Sequence, residues 1–174
     1  MLFRSGTDEL ASILTAVLAA TRKRLWITNA YFAPRRRAIE RLEAAVDRGV
    51  DVRLLLPGVS DVPIVQHAAH GYFRALLECG VRIFEYQAAI LHAKSLVADD
   101  RVGVVGSTNL DYRSFHLNAE CNLVILDPKT AVRLSGAFED DLSHSREIRP
   151  EEWSRRSFGH KLGDQVARCL APVL

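Results

Sequence analysis

His92 and Lys94 stand two residues apart, Asp99 follows five residues after the lysine, and Gly106, Ser107 and Asn109 close the run. Together they offer an imidazole, an ammonium, a hydroxyl and an amide, a set suited to an anionic tetrahedral phosphorus centre. Lys94 would supply a point charge, and Ser107 and Asn109 would donate hydrogen bonds to the equatorial oxygens. His92, with an ordinary pKa of about 6.5, can attack phosphorus or shuttle a proton. A nucleophilic imidazole needs its other nitrogen held by an orienting group, and a carboxylate is the natural one. Asp99 falls at a turn, far along the strand from His92, so it reads as structural, capping its turn or pairing with an arginine. Glu120, which opens the next strand, is the better orienter. A lone histidine in a strand is ordinarily a satisfied core residue; the conjunction of residue types at these spacings argues otherwise. The pattern occurs once in the chain.

The elements that position these residues follow from periodicity. Residues 7–21 and 37–49 read as amphipathic helices, the second closed by Gly49. A third helix is expected over about 62–79, with Asp61 as its cap. Apolar runs at 24–28, 50–58 and 81–86 read as strands between them, which predicts crossover connections and parallel pairing. Residues 90–98 and 101–107 read as a hairpin turned at Asp99-Asp100, with His92 and Lys94 on one face of the first strand. A strand over 120–127 and a helix over 129–142 complete the pattern. The fold class is α/β, with a mixed, largely parallel sheet between helix layers. One domain spans 1–174, with a core of about 7–145 and a tail of 146–174, holding Trp153 and Phe158, that no pattern places.

The 174 residues suffice for a real core, and 48% hydrophobic with 25% charged residues excludes disordered and collagen-like chains. A net charge of +2 does not by itself argue for nucleic acid. Basic residues cluster at 22–24, 35–37 and 155–156, as solvated helix ends or as contacts to an anionic surface. Cys79, Cys121 and Cys169 show no disulfide or metal spacing and read as buried small apolar groups in a reducing compartment. The apolar stretch at 10–20 is too short to span a bilayer. His67 and His70 share a helix face at a spacing that suits a metal, but no third ligand is evident. They read as helix-surface residues, and no metal or other cofactor is expected. Arg113 and His116 follow the Gly-Ser-x-Asn loop as phosphate-entrance candidates, with a loop salt bridge the alternative for Arg113. Tyr31, Phe32 and Pro34 follow a strand end and either line a substrate pocket or cap the core.

The stretch "HAKSLVADDRVGVVGSTN" resembles the His-x-Lys-x4-Asp-x6-Gly-Ser-x-Asn signature of the phospholipase D superfamily. "WITNAYFAP", "GVDVRLLLPGVSD", "LLECGVRIFEY" and "NLDYRSFHLNAECNLVILD" resemble the C-terminal half of bacterial cardiolipin synthases, over about residues 7–145. The resemblance implies a phospholipase D-like domain and metal-independent phosphatidyl transfer through a phosphohistidine. It implies His92, Lys94, Asp99, Ser107, Asn109 and Glu120 as site residues. The implied substrate is an anionic phospholipid, phosphatidylglycerol, met at a membrane surface by a cytoplasmic, peripheral protein. A second phosphatidylglycerol as acceptor gives cardiolipin and glycerol; water as acceptor would make a phospholipase. Such enzymes carry two signatures, and this chain has one. The second histidine would come from a two-fold homodimer mate or from a missing N-terminal half. In two-signature enzymes the C-terminal histidine is often given the acid/base role, so His92 is either nucleophile or acid/base. The chain also reads as starting at its first helix, without a preceding strand. Two other readings stand beside this one: a homodimeric phosphodiesterase or nuclease, and a non-catalytic partner half. The flanking motifs and the modest charge favour lipid over nucleic acid.

Overall fold

The computed structural model describes residues 2–4 and 8–170. In chain order the elements are β1 (Leu2–Arg4), α1 (Asp8–Ala20), β2 (Arg24–Thr28), α2 (Arg36–Asp47), β3 (Asp51–Pro57), α3 (Pro63–Glu78), β4 (Arg82–Tyr86), β5 (Ser95–Ala98), β6 (Val102–Gly106), α4 (Tyr112–His116), β7 (Cys121–Ile125), α5 (Pro128–Ser143), β8 (Ser145–Ile148), α6 (Pro150–Ser154) and α7 (Phe158–Leu170). The strands form one sheet in the order β1-β7-β6-β5-β2-β3-β4-β8.

Strand alternation divides the core in two. Leu25, Ile27, Leu54, Leu56, Ile83, Leu96 and Ala98 face one side, where they meet Leu14 and Leu18 of α1, Leu42 of α2 and Phe73 and Leu76 of α3. The alternate residues Trp26, Leu55, Phe84 and Val97 face the other side and pack on Ala131 and Phe138 of α5. Trp26 stacks on Phe138 with ring centroids 5.2 Å apart. Burial on both faces explains why these strands read as nearly continuous apolar runs.

The sheet is mixed, as expected, but its balance is not largely parallel. Among the described strands, β2–β3 and β3–β4 pair in parallel. The other five pairings are antiparallel. Helical crossovers permit parallel neighbours only across α2 and α3; after β4 the chain returns by hairpins and edge additions. The expected strand over 90–98 shortens to β5, because its partner β2 ends at Thr28, opposite Ser95. A strand does precede α1: β1 pairs with β7, Phe3 opposite Asn122. Asp61 is not the cap of α3. Val62 holds that position and Pro63 opens the helix.

The tail closes the opposite edge of the sheet. β8 adds antiparallel to β4, and α7 lies along α3. Trp153 packs on Phe73 and His70, with centroids 4.9 and 5.2 Å away, so His70 is not a helix-surface residue. Phe158 is exposed. Cys121 and Cys169 are exposed and Cys79 half-buried, which corrects the reading of all three as core residues.

Asp99 and Asp100 both take positive φ, 53° and 55°, as the tight hairpin between β5 and β6 requires. Asp99 does more than turn the chain. Its carboxylate accepts the backbone N–H groups of Arg22, Lys23 and Arg24 at 2.9, 2.8 and 3.0 Å, fixing the entry into β2. Burial raises its pKa, but these three donors and the nearby Lys23 ammonium outweigh that and hold the carboxyl below its usual range. Stability from Asp99 is therefore present above the ordinary aspartate pKa and is lost as pH falls through the depressed one. Replacing Asp99 by Ala should lower stability by about 1–2 kcal/mol at pH 7, with the difference from the parent shrinking as the medium is acidified below about pH 4. Urea denaturation at both pH values measures this.

Candidate active site

The direction of the strands brings four segments to one end of the sheet. β2 ends and β5 begins there, paired at Thr28 and Ser95. β6 ends and β7 begins there, paired near Gly106 and Asn122. The sequence-predicted residues divide accordingly. His92, Lys94, Ser107, Asn109 and Glu120 lie at this end. Asp99 lies at the other, where its N–H bonds to Arg24 O at the start of β2.

His92 and Lys94 occupy the connection before β5, not the strand itself. Leu91 is buried in the α5-side core and anchors this connection, leaving His92 exposed. The ring of Tyr31 stands edge-on to His92 with centroids 5.7 Å apart. Lys94 folds back to donate from Nζ to His92 O at 2.8 Å. Burial pushes its ammonium pKa down, against the opposing pull of Glu120, Asp61 and Asp111. Lys94 is thus a partly dehydrated cation facing three carboxylates.

The loop after β6 is held on both sides. A Cβ on Gly106 would overlap the side-chain oxygen of Asn122 and the carbonyl of Cys121, so only glycine fits. Asn122 Nδ2 donates to Thr108 Oγ1 at 2.7 Å. Just past β2, buried Asn29 accepts Leu110 N–H at 2.9 Å and donates to Thr108 O at 3.4 Å. Asn109 Oδ1 accepts Tyr31 N–H at 3.3 Å, and Ala33 N–H bonds to Leu110 O at 2.9 Å. The Tyr31 loop and the Asn109 loop are therefore one unit.

Glu120 is the buried acid of the site, 6% exposed. One oxygen accepts Ser107 Oγ–H at 2.5 Å; the other accepts Ser114 Oγ–H at 2.8 Å and Asn118 Nδ2–H at 3.4 Å. Ser107 Oγ accepts the N–H of Cys121 at 3.0 Å. The Ser107 hydroxyl hydrogen is thus given to Glu120, not to the approach beside Lys94. Ser114 Oγ also receives Asn109 N–H at 3.1 Å, which links the acid to the signature asparagine. Asp111 caps α4 by accepting Ser114 N–H at 2.7 Å; burial nonetheless raises its pKa.

The flanking candidates separate. Tyr31 sits at the site and donates its hydroxyl to Asp61 at 2.9 Å. Phe32 is 1% exposed and belongs to the core, where it meets Tyr72 edge-on. Arg113 and His116 are exposed in the last turn of α4. Beside α4 opens a groove of about 220 Å³ with an apolar floor of Leu14, Leu18, Pro34 and Phe115 and a rim that includes Arg35, Arg37 and Arg41. Sequence reasoning noted Arg35 and Arg37, and Pro34 as a pocket candidate, but not Arg41 or the rest of the floor. It also missed Asn29, Asp61 and Ser114. Only Asn29 carried a signal, as a polar residue directly ending an apolar strand.

The chain matches the family described as "Cardiolipin synthase, PLD-like domain" over residues 14–142. It is 36% identical to a cardiolipin synthase of Halalkalibacterium halodurans over 159 residues, 91% of this chain and 32% of that protein. It is 40% identical to cardiolipin synthase A of Pseudomonas putida over 161 residues, 92% of this chain and 33% of that protein. The chain therefore spans about a third of the length of the curated relatives it matches. Among solved structures, Nuc of Salmonella typhimurium, a phospholipase D family member, superposes with a TM-score of 0.74 at 20% identity, covering 86% of this chain and 97% of that one. Phosphatidylserine synthase of Haemophilus influenzae gives 0.77 at 15% identity, covering 99% of this chain and 45% of that one. At these identities the superpositions show the fold alone.

Removing the Ser114 hydroxyl takes a donor from a buried carboxylate and an acceptor from Asn109 N–H. Ser114→Ala should destabilise the chain by about 1–3 kcal/mol in thermal or urea unfolding. A loss below about 0.5 kcal/mol would mean that the network does not hold this loop.

Proposed function

Because the chain belongs to the cardiolipin synthase family of phospholipase D-like domains, we propose that it forms one half of a metal-independent phosphatidyltransferase site acting on phosphatidylglycerol. The observation that carries this reading is the joint placement of His92, Lys94 and Asn109 at one sheet end, beside an arginine-rimmed apolar groove. A diacyl phospholipid needs both features: a phosphate-reading centre and an apolar surface with cations at its edge. No helix among the described residues is long and apolar enough to cross a membrane. In this reading the domain meets the bilayer from the cytoplasmic side, as a peripheral protein.

The reaction runs in two displacements. An imidazole nitrogen attacks phosphorus, the P–O bond to the glycerol headgroup breaks, and a second histidine delivers a proton to the leaving alkoxide. The hydroxyl of a second phosphatidylglycerol then attacks phosphorus. The P–N bond breaks, and the second histidine takes the hydroxyl proton. His92 fills one of these two roles. Lys94 and the amide of Asn109 stabilise the charge on the equatorial oxygens. Asn109 suits this because its oxygen is already committed to Tyr31 N–H, which leaves its amide N–H groups as the donors. Glu120 is the carboxylate for the imidazole, with Ser107 between the acid and the substrate side. Ser107 can donate to substrate only by releasing Glu120, so its role is to tune that acid. Asp99 works through the β5–β6 turn and is a positioning residue. Arg113 and Tyr31 bound the phosphate entrance.

The second histidine comes from another phospholipase D-like domain, in a two-fold mate or in another segment of a longer protein. Relatives about three times as long as this chain have room for the latter.

The test is turnover of labelled phosphatidylglycerol in vesicles, with the native mass determined alongside. His92→Ala should lower turnover by about a thousandfold or more. Unchanged turnover would remove His92 from the mechanism, and cleavage of DNA in place of phosphatidyl transfer would replace the lipid substrate with a nucleic acid. Arg37→Glu with Arg41→Glu should weaken binding to phosphatidylglycerol vesicles by about tenfold or more at low salt, with the fold intact.

A further inference from the structure

Outside the phosphate site, polar groups gather where α7 crosses α3. His67 and His70 come from α3 and Asp164 from α7. Asp164 is 2% exposed, and its Oδ1 lies 2.9 Å from His67 Nδ1 and 3.9 Å from His70 Nδ1. His70 turns its other nitrogen, Nε2, to Glu85 Oε1 at 3.0 Å. Glu85 is an acceptor, paired also with Arg146 at 2.9 Å, so Nε2 carries the proton and donates. That leaves Nδ1 with a lone pair aimed towards a buried carboxylate oxygen. Among the described residues, His70 Nδ1 is the one buried side-chain nitrogen or oxygen without a hydrogen-bond partner. Two electron-rich atoms facing one another in a buried setting call for a cation between them. A proton on Nδ1 answers this poorly, because 3.9 Å is too long for a hydrogen bond to Oδ1.

We propose that His67, His70 and Asp164 form a zinc-class metal site that fastens α7 to α3. Their ligand atoms lie within 4.8 Å of one another. Tetrahedral zinc with bonds of about 2.0–2.1 Å holds its ligand atoms about 3.3–3.5 Å apart, so closure needs side-chain shifts of only about 1 Å. Two imidazoles and one carboxylate select zinc and its neighbours over magnesium and calcium, which prefer all-oxygen ligands. Glu85 stands behind His70 as the carboxylate that fixes a ligating histidine's tautomer. Arg156 binds Asp164 Oδ2 at 2.8 Å, which leaves Oδ1 turned to the histidines. The His67 side chain is 49% exposed, so the ion enters from solvent and a water completes its coordination. His67 binds through Nδ1, and the proton now shared with Asp164 moves to Nε2. Arg146 and Arg156 balance the two acids, so the site carries little net negative charge to draw a cation.

The test is a zinc titration of the chelator-treated full chain by calorimetry, repeated with magnesium and with cobalt. One equivalent of zinc should bind and raise the thermal midpoint, while magnesium does neither. Cobalt should give the visible spectrum of a tetrahedral nitrogen and oxygen site, without a sulfur charge-transfer band. His67→Ala and Asp164→Asn should each weaken zinc binding at least tenfold. His67→Gln, at a half-exposed position, carries the test if Asp164→Asn fails to fold. The proposal falls if no stoichiometric binding is seen, if the His67 variants bind as the parent does, or if cobalt reports thiolate ligation.

Discussion

A carboxylate taken out of water must have its lone pairs filled, or it distorts its surroundings until they are. Glu120 meets this requirement with Ser107 from the end of β6, Ser114 from α4 and Asn118 from the turn before β7. The three donors come from three different segments, so satisfying one side chain fixes all three relative to each other. The same constraint passes outward. Ser114 holds the backbone of Asn109, Asn109 holds that of Tyr31, and Tyr31 stands against His92. A chain of hydrogen bonds and one ring contact therefore runs from a buried acid to an exposed imidazole. The acid works as a structural hub that ties together the loops carrying the site.

The antiparallel majority of the sheet makes this arrangement possible. In an all-parallel sheet, strand ends and strand beginnings lie at opposite edges. Here β2 and β6 finish where β5 and β7 start, so residues before one strand meet residues after another. The same geometry carries Asp99 away. One strand separates it from Lys94, and that strand delivers it to the opposite edge, where it captures three backbone amides. Its spacing from the lysine measures the length of β5, not the reach of a catalytic group.

What the sequence disclosed and what it hid follow the range of the forces involved. Apolar runs in "RLWIT", "VRLLLP" and "VRIFEY" revealed strands because both sheet faces are buried. The Asp99-Asp100 turn was legible because two successive residues at positive φ leave few alternatives. Pairing direction was not legible, since it depends on which strand a segment finds and not on its own pattern; hence the overestimate of parallel pairing. The strand over 90–98 was overextended because nothing in "ILHAK" states that β2, its partner, stops at Thr28. His67 and His70 looked like a surface pair because Asp164, ninety-four residues beyond His70, reaches them only through the packing of α7. Ser114 was invisible as a site residue for the same reason, and Asn29 showed only as a polar residue following an apolar strand. Each is a common polar residue whose meaning comes from a partner distant in sequence or on another segment.

In the proposed reading, the charge around Lys94 bears on how much of the reaction one such domain can support. One ammonium faces Glu120, Asp61 and Asp111, and burial already works against its charge. A phosphodiester brings a further negative charge, and a transition state spreads that charge over the oxygens that Lys94 must stabilise. Lys94 works against three carboxylates, and Arg113 acts on Asp111, so a phosphate would find little uncommitted positive charge at the centre. Arg35, Arg37 and Arg41 do not remedy this, because they border the adjoining groove and act on approach instead of at phosphorus. A facing domain with its own histidine and lysine would add the missing cation as well as the missing proton carrier. If the domain acts as one half of a shared site, as proposed, its need for a second half is electrostatic before it is mechanistic.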